Sequence, residues 1–396
     1  MFTAHVECHL WDLEDEGIDE VLDRLQGELG AGGVTVVAAG QPVRQLRHRP
    51  DAWPRIFQSR GGLYFPPDES KYTDTRSKGV VSGWVKSRNP LRKVSDACHR
   101  RDMTLRAVID TRRIGRVVSR CPSVAAKTAF DDASPGTMCA ANPDVAALYH
   151  GLISDLSANY DVSAIELRRL DHPFATDLAD SLDVAGSPNA ADAVARGLLS
   201  ICFCESCLQA ASGGNIDGYG AMRSVGTWLN AAFARTRTLP DSLASVLTDD
   251  ETLERYVRHR RDDHAGLIRA LSRHCPCDLA LHVDDDAGAD RPALAAMASE
   301  CAAINVAVSR AWPLPDSAMV HQALETCRVT DGPRCEAVVS LRESLADDAT
   351  GLVRTVKKLV DLGVAGVHFR HYGLMGGHEF TAVQQAIRYA RRSATV

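Results

Sequence analysis

No stretch of about 18 consecutive apolar residues occurs in this 396-residue chain, so nothing in it reads as a membrane span. Basic residues are not in excess either. Forty-five Lys and Arg stand against 51 Asp and Glu, a formal net charge of −6, which excludes the positive footprint that nucleic-acid binding needs. Internal repeats and low-complexity tracts are missing, which excludes a solenoid or a long disordered linker. The amino-terminal MFTAHVECHLW has no basic region followed by an apolar run and reads as a strand from the outset, so a cytoplasmic location is expected. A glycine-rich turn after that first strand is also lacking. Asp-Leu-Glu-Asp-Glu stands there at 12–16, which counts against an open dinucleotide-binding sheet.

What is present is a steady alternation of strand and helix patterns. Strand-like segments fall at 2–11, 33–40, 104–111, 163–170, 278–285, 304–311, 336–343 and 365–372. Helical periodicity falls at 17–29, 142–158, 216–237, 251–273, 291–301, 348–361 and 378–392. Strands separated by helices imply a parallel sheet, and eight is the number at which such a sheet closes. The expected class is therefore α/β, a (β/α)8 TIM barrel formed by residues 1–396 as one domain, with an open doubly wound sheet as the alternative. Long βα loops follow strands two and four, at 41–85 and 171–215, on the face where barrels build their sites.

Strand side chains alternate, and the outward set of a barrel must be apolar because helices cover it. In strand one Val6, Cys8 and Leu10 then face out, leaving His5, Glu7 and His9 inside. The same argument puts Glu166 and Arg168 inside on strand four, His282 and Asp284 on strand five, and His368 and Arg370 on strand eight. Asp110 ends strand three in either register. Strand seven leaves two readings open, with Ser340 and Arg342 inward or Leu341 and Glu343 inward. Branched apolar residues fill a purely structural barrel, whereas this interior collects histidines, carboxylates and arginines, which must be paired or solvated. A polar binding pocket is the expectation, and Tyr372 joins its candidate lining, with Trp11, Tyr64 and Trp312 as aromatic platforms at or near strand ends.

Twelve cysteines are many for a reducing compartment, where metal binding or plain burial accounts for them better than disulfides do. Cys202, Cys204 and Cys207 form a C-x-C-x-x-C run that can wrap one tetrahedral zinc. Cys139 is the preferred fourth ligand and Cys121 the second choice, so 171–215 reads as a zinc-binding insertion. A four-coordinate zinc has no open position, so its role is to hold loops together.

That cluster in a strand-four loop resembles the zinc site of the zinc-containing β-galactosidases. The segments CAANPDVAALYHGLISDLSANYDVSAIELRRLDHP, LLSICFCESC and LVDLGVAGVHFRHYGLM resemble a glycoside-hydrolase-like family of bacterial barrel proteins. The resemblance implies an acid/base carboxylate at the end of strand four, matched by Glu166 or Asp171, and a nucleophilic carboxylate at the end of strand seven, matched by Glu343. It further implies a small-molecule or oligosaccharide substrate.

Two other functions compete. His5, Glu7, His9, His282, Asp284 and His368 could hold a catalytic divalent metal for a barrel hydrolase or isomerase. Alternatively, Arg168 and Arg370 could clamp an anionic metabolite in a barrel without catalysis. No nucleic-acid or membrane partner is expected, and self-association into a homo-oligomer is compatible with the composition.

Overall fold

The computed structural model describes residues 2–47, 54–85, 88–171, 174, 190–234, 236, 238–283, 291–308, 318–329, 332–341 and 349–393. The expectations placed on Asp284, Trp312, Arg342 and Glu343 lie outside the described residues.

Eight strands close into one ring of parallel neighbours: β1 (Thr3–Cys8), β2 (Gly33–Gly40), β3 (Thr104–Asp110), β4 (Ala164–Arg168), β5 (Asp278–Val283), β6 (Ala303–Val308), β7 (Arg334–Ser340) and β8 (Gly366–Arg370). Closure is explicit in the register, since His5 of β1 sits opposite both Gly33 of β2 and His368 of β8. Side chains such as Val6, Val36, Ile165, Leu281, Val306, Val339 and Phe369 project outward and are buried under a surrounding coat of helices. Their alternation with polar residues is what a sheet needs when one face meets helices and the other meets a pocket. Gly33 marks a tight point of the ring, where a Cβ would lie 2.1 Å from Thr104 Oγ1 and 2.4 Å from its carbonyl oxygen.

The strands match the sequence expectation closely, with two instructive departures. β1 stops at Cys8 instead of running to Trp11, because Leu10, Trp11 and Leu13 are buried on the helix Leu10–Glu16. The crossover helices Pro90–His99 and Ala318–Val329 were not expected. The first carries a readable start, Asn89–Pro90, in which the Asn89 side chain accepts from Arg92 N–H and proline occupies the first turn.

The loops on the carboxyl side are larger than anticipated. The segment after β2 folds as a hairpin, Val43–Leu46 with Ile56–Ser59, followed by a short strand, Gly62–Leu63, that pairs antiparallel with the end of β2. A third long excursion, 111–142 after β3, carries another hairpin, Ala125–Lys127 with Ala133–Met138. Beyond β4, the helices Ala190–Ser200, Glu205–Gly213, Gly218–Phe233 and Leu243–Asp249 pack with the first turns of Glu251–His274. Leu198, Val225, Trp228, Leu229 and Tyr256 form their own small core there. No single helix among the described residues is long and apolar enough to cross a membrane.

Candidate functional site

The barrel interior is layered by charge. Near the amino ends of the strands, Arg106 donates through Nη1 to Glu336 Oε2 at 2.5 Å, and His368 Nε2 lies 2.9 Å from the same oxygen. The same Nε2 lies 3.2 Å from Arg106 Nη1, so arginine, imidazole and carboxylate form one cluster, and Nδ1 lies 3.5 Å from Thr35 Oγ1. His5 stacks on His368 with ring centroids 4.9 Å apart and shares a 2.8 Å hydrogen bond with Thr104. Burial holds the pKa of both imidazoles below the ordinary histidine value, reinforced by the nearby Arg106 guanidinium.

One layer higher, Glu166 accepts from Arg168 Nε at 2.6 Å and from Asn305 Nδ2 at 2.7 Å, with His282 Nδ1 at 3.5 Å. Burial alone would raise its pKa, but Arg168, followed by His282, His368 and Arg106, outweighs burial and brings it to about 2. The other two nitrogens of Arg168 reach Glu7, at 3.2 and 2.5 Å. Arg370 Nε stands 3.4 Å from Glu7 Oε2. Burial also works against ionisation of Glu7, and Arg168 and Arg370 overcome it to hold the carboxyl well below the usual range.

Above this floor lies a cavity of about 390 Å³ at the carboxyl ends of the strands. Glu7, His9, Asp110, Arg168, His282 and Arg370 line it, as do Trp11, Gln41, Arg44, Gln45, Tyr64, Arg169 and His371. Arg169 Nε lies 3.2 Å from Asp110 Oδ1, and Arg169 Nη2 donates to Gln41 Oε1 at 3.3 Å. Burial lowers the His9 pKa to about 3, so this imidazole is neutral at ordinary pH. Trp11 is not an open sugar platform, because its ring is sandwiched between His9 and Phe57, each with its centroid 4.2 Å away.

Beside the barrel, the Sγ atoms of Cys139, Cys202, Cys204 and Cys207 all lie within 4.8 Å of one another and are buried. Cys139 therefore completes the cluster, and Cys121 does not; its Sγ lies 3.4 Å from Ser123 Oγ. The cluster joins the β3 loop to the β4 excursion. The buried Arg260 guanidinium, whose pKa the thiols raise against its own burial, is the counter-charge expected beside a thiolate site. Four buried thiols in mutual reach fit a tetrahedral metal. Among the described residues they are the only such group, and the described inward histidines and carboxylates do not form a second one.

No protein-family model matches this chain, and no curated protein matches it. Solved structures do. The α-L-fucosidase isoenzyme 2 of Paenibacillus thiaminolyticus superimposes with a TM-score of 0.58 at 10% identity, over 100% of this chain and 50% of that one. A β-galactosidase from the psychrophilic Marinomonas ef1 gives 0.55 at 11% identity, over 98% of this chain and 59% of that one. The likeness is one of fold. This chain spans between half and three-fifths of the length of those two enzymes.

The structure thus gathers eight expected residues, Glu7, His9, Trp11, Tyr64, Asp110, Arg168, His282 and Arg370, around one cavity. Others go elsewhere. Glu166 and His368 belong to the ion-paired interior under the floor and do not line the cavity. Asp171 is buried at the end of β4 without lining it. Tyr372 is a correction, since its hydroxyl donates to Glu16 Oε2 and accepts from Arg24 Nη1, each at 3.0 Å, away from the cavity. A one-turn helix beginning at Tyr372 turns the ring out of the strand direction on which the expectation relied. Strand seven adopts the register with Glu336 and Ser340 inward. Sequence reasoning missed Arg169 and His371, because alternation assigns each to the outer face.

Proposed function

We propose that this chain is a glycosidase-like enzyme acting on a carbohydrate in the cavity, with a structural zinc held by Cys139, Cys202, Cys204 and Cys207. The observation that carries the reading is the cavity itself. It lies on the catalytic face of a closed barrel, has the size of a small-ligand site, and presents two carboxylates, Glu7 and Asp110, among hydrogen-bonding side chains. The fold shared with a fucosidase and a β-galactosidase supports it.

Within this reading the carboxylates divide by environment. Glu7, held ionised by two guanidiniums, does not deliver a proton but fixes those guanidiniums at the cavity floor. Glu166 serves the floor, because a carboxyl with a pKa of about 2 is a poor general acid at neutral pH. Of the two carboxylates that the family resemblance offers for the acid/base role, that leaves Asp171, three residues past β4 and outside the described cavity lining, and turnover by Asp171→Asn tests whether it reaches the sugar. Glu343 keeps the nucleophile role that the same resemblance implies. Asp110 accepts a sugar hydroxyl. When bound, the zinc supplies cross-linking of two loops.

The test is turnover of a panel of aryl glycosides (α-fucoside, β-galactoside, β-N-acetylglucosaminide and β-glucuronide) by the parent, Asp171→Asn, Glu343→Gln and Glu166→Gln. Turnover of at least one member is expected, falling about 100-fold or more in the first two variants, as expected for loss of general acid–base or nucleophilic catalysis. A parent that neither turns over nor binds any member removes the carbohydrate reading. Full activity in both Asp171→Asn and Glu343→Gln removes the role assignment.

A further inference from the structure

Consecutive residues of a strand point to opposite faces, so a strand gives a cavity one of any two neighbours. At the carboxyl ends of β4 and β8 this rule is broken twice. Arg168 and Arg169 both line the cavity, and so do Arg370 and His371. In each pair the second residue has a left-handed backbone, with φ of 62° at Arg169 and 72° at His371. That conformation is uncommon for a residue with a Cβ, and it re-aims a side chain that would otherwise face the helices. β4 and β8 are four strands apart in a ring of eight, so the two kinks face each other across the cavity. Of the six left-handed non-glycine residues among those described, only Arg169 and His371 line the cavity.

The kinks deliver basic groups. The inner members, Arg168 and Arg370, are balanced by Glu7 lying between them. The outer members stand one residue further along each strand, and Asp110 is 3.2 Å from Arg169. We propose that the substrate is an acidic saccharide, and that Arg169 and His371 grip its carboxylate from opposite walls. This rests on the carbohydrate reading above and names its substrate class. Arg169 has the planar fork that carboxylates favour, and the Asp110 carboxylate beside it already shows that chemistry. The ligand's carboxylate takes the place of the Gln41 amide oxygen on Nη2 of the guanidinium, while Asp110 stays on Nε, with an imidazole N–H of His371 as its second donor.

The experiment measures binding of glucuronate, glucose and glucose 6-phosphate by calorimetry, and thermal midpoints, for the parent, Arg169→Gly, Arg169→Ala, His371→Gly and His371→Ala. The parent binds glucuronate at least tenfold more tightly than glucose, and each glycine variant loses that preference while still binding glucose. Each glycine variant also melts above the alanine variant at the same position, because only glycine relieves the left-handed backbone. The inference is overturned by a parent without the preference, by glycine variants that keep it, by glycine variants that melt no higher than the alanine ones, or by glucose 6-phosphate binding more tightly than glucuronate. A parent that binds glucose and glucuronate equally leaves the carbohydrate reading standing and removes only the acidic one. Binding of none of the three removes the acidic reading, and the aryl glycoside panel then decides the carbohydrate reading separately.

Discussion

Single residues in this barrel show how a polar interior is made tolerable. Arg106 is 3% exposed, and its Nε and Nη2 find no acceptor among the described residues, so its charge depends on Glu336 through Nη1. Glu336→Gln leaves a guanidinium buried without its counter-ion, and breaking such a pair from one side costs about 3–5 kcal/mol. Urea denaturation should show that loss. A change below about 1 kcal/mol, within the range of an ordinary surface pair, would mean that the interior is hydrated well enough to screen Arg106. Glu166→Gln differs, because Asn305 and Arg168 both contact the side chain and Arg168 keeps Glu7. A smaller penalty is expected there, and comparison of the two variants by the same measurement tests whether the network or a single pair bears the cost.

At the scale of elements, the cysteine quartet does for the loops what helices do for the strands. The Ala125–Lys127/Ala133–Met138 hairpin and the helix Glu205–Gly213 meet at the four thiols, where Lys127 N–H points to Cys202 Sγ at 3.4 Å. Tyr256 adds a 2.7 Å hydrogen bond from its hydroxyl to the Cys202 carbonyl, linking the thiols to the small helical core. On the proposed zinc site, replacing Cys204 by Ser should therefore abolish the one zinc per chain expected in the parent. It should also raise amide exchange across 125–138 and 200–213 while leaving the eight strands protected. Uniform exchange across the barrel in that variant would show that the site supports the whole fold and not its loops. The inward-pointing strand residues were legible because period-two alternation is a local property of extended backbone. Arg169 and His371 escape a sequence reading, and Tyr372 leaves its expected place, because each lies one or two residues past a strand end, where left-handed or helical backbone ends the alternation.

For the molecule as a whole, the buried ionisable groups set a direction for stability with pH. His5, His9 and His368 have pKa values below 6.5 in the fold, His9 at about 3, because burial disfavours the imidazolium. As pH falls below about 6.5, the unfolded chain binds protons that the folded chain refuses, so stability declines. Glu7, Glu166 and Glu336 are held below 4.5, Glu166 at about 2, so a second decline of the same sign starts near pH 4.5. Thermal midpoints should fall measurably between about pH 7 and 5.5, where the histidines dominate the proton uptake of the unfolded chain. A flat profile over that interval would mean that the histidines take up protons in the fold.

Sequence alone determined the barrel. Eight apolar-alternating strands joined by amphipathic helices have few ways to bury their faces, and C-x-C-x-x-C spacing brings three thiols within reach of one ion whatever surrounds it. Only the tertiary structure decided how the inward charges are used. Whether Glu166 meets a substrate or Arg168, and whether Cys139 or Cys121 completes the thiol cluster, depends on which strands and loops become neighbours across tens or hundreds of residues. The same holds for the opposed kinks at Arg169 and His371. A left-handed residue just past a strand end is a local backbone state that nothing in the period of the sequence records.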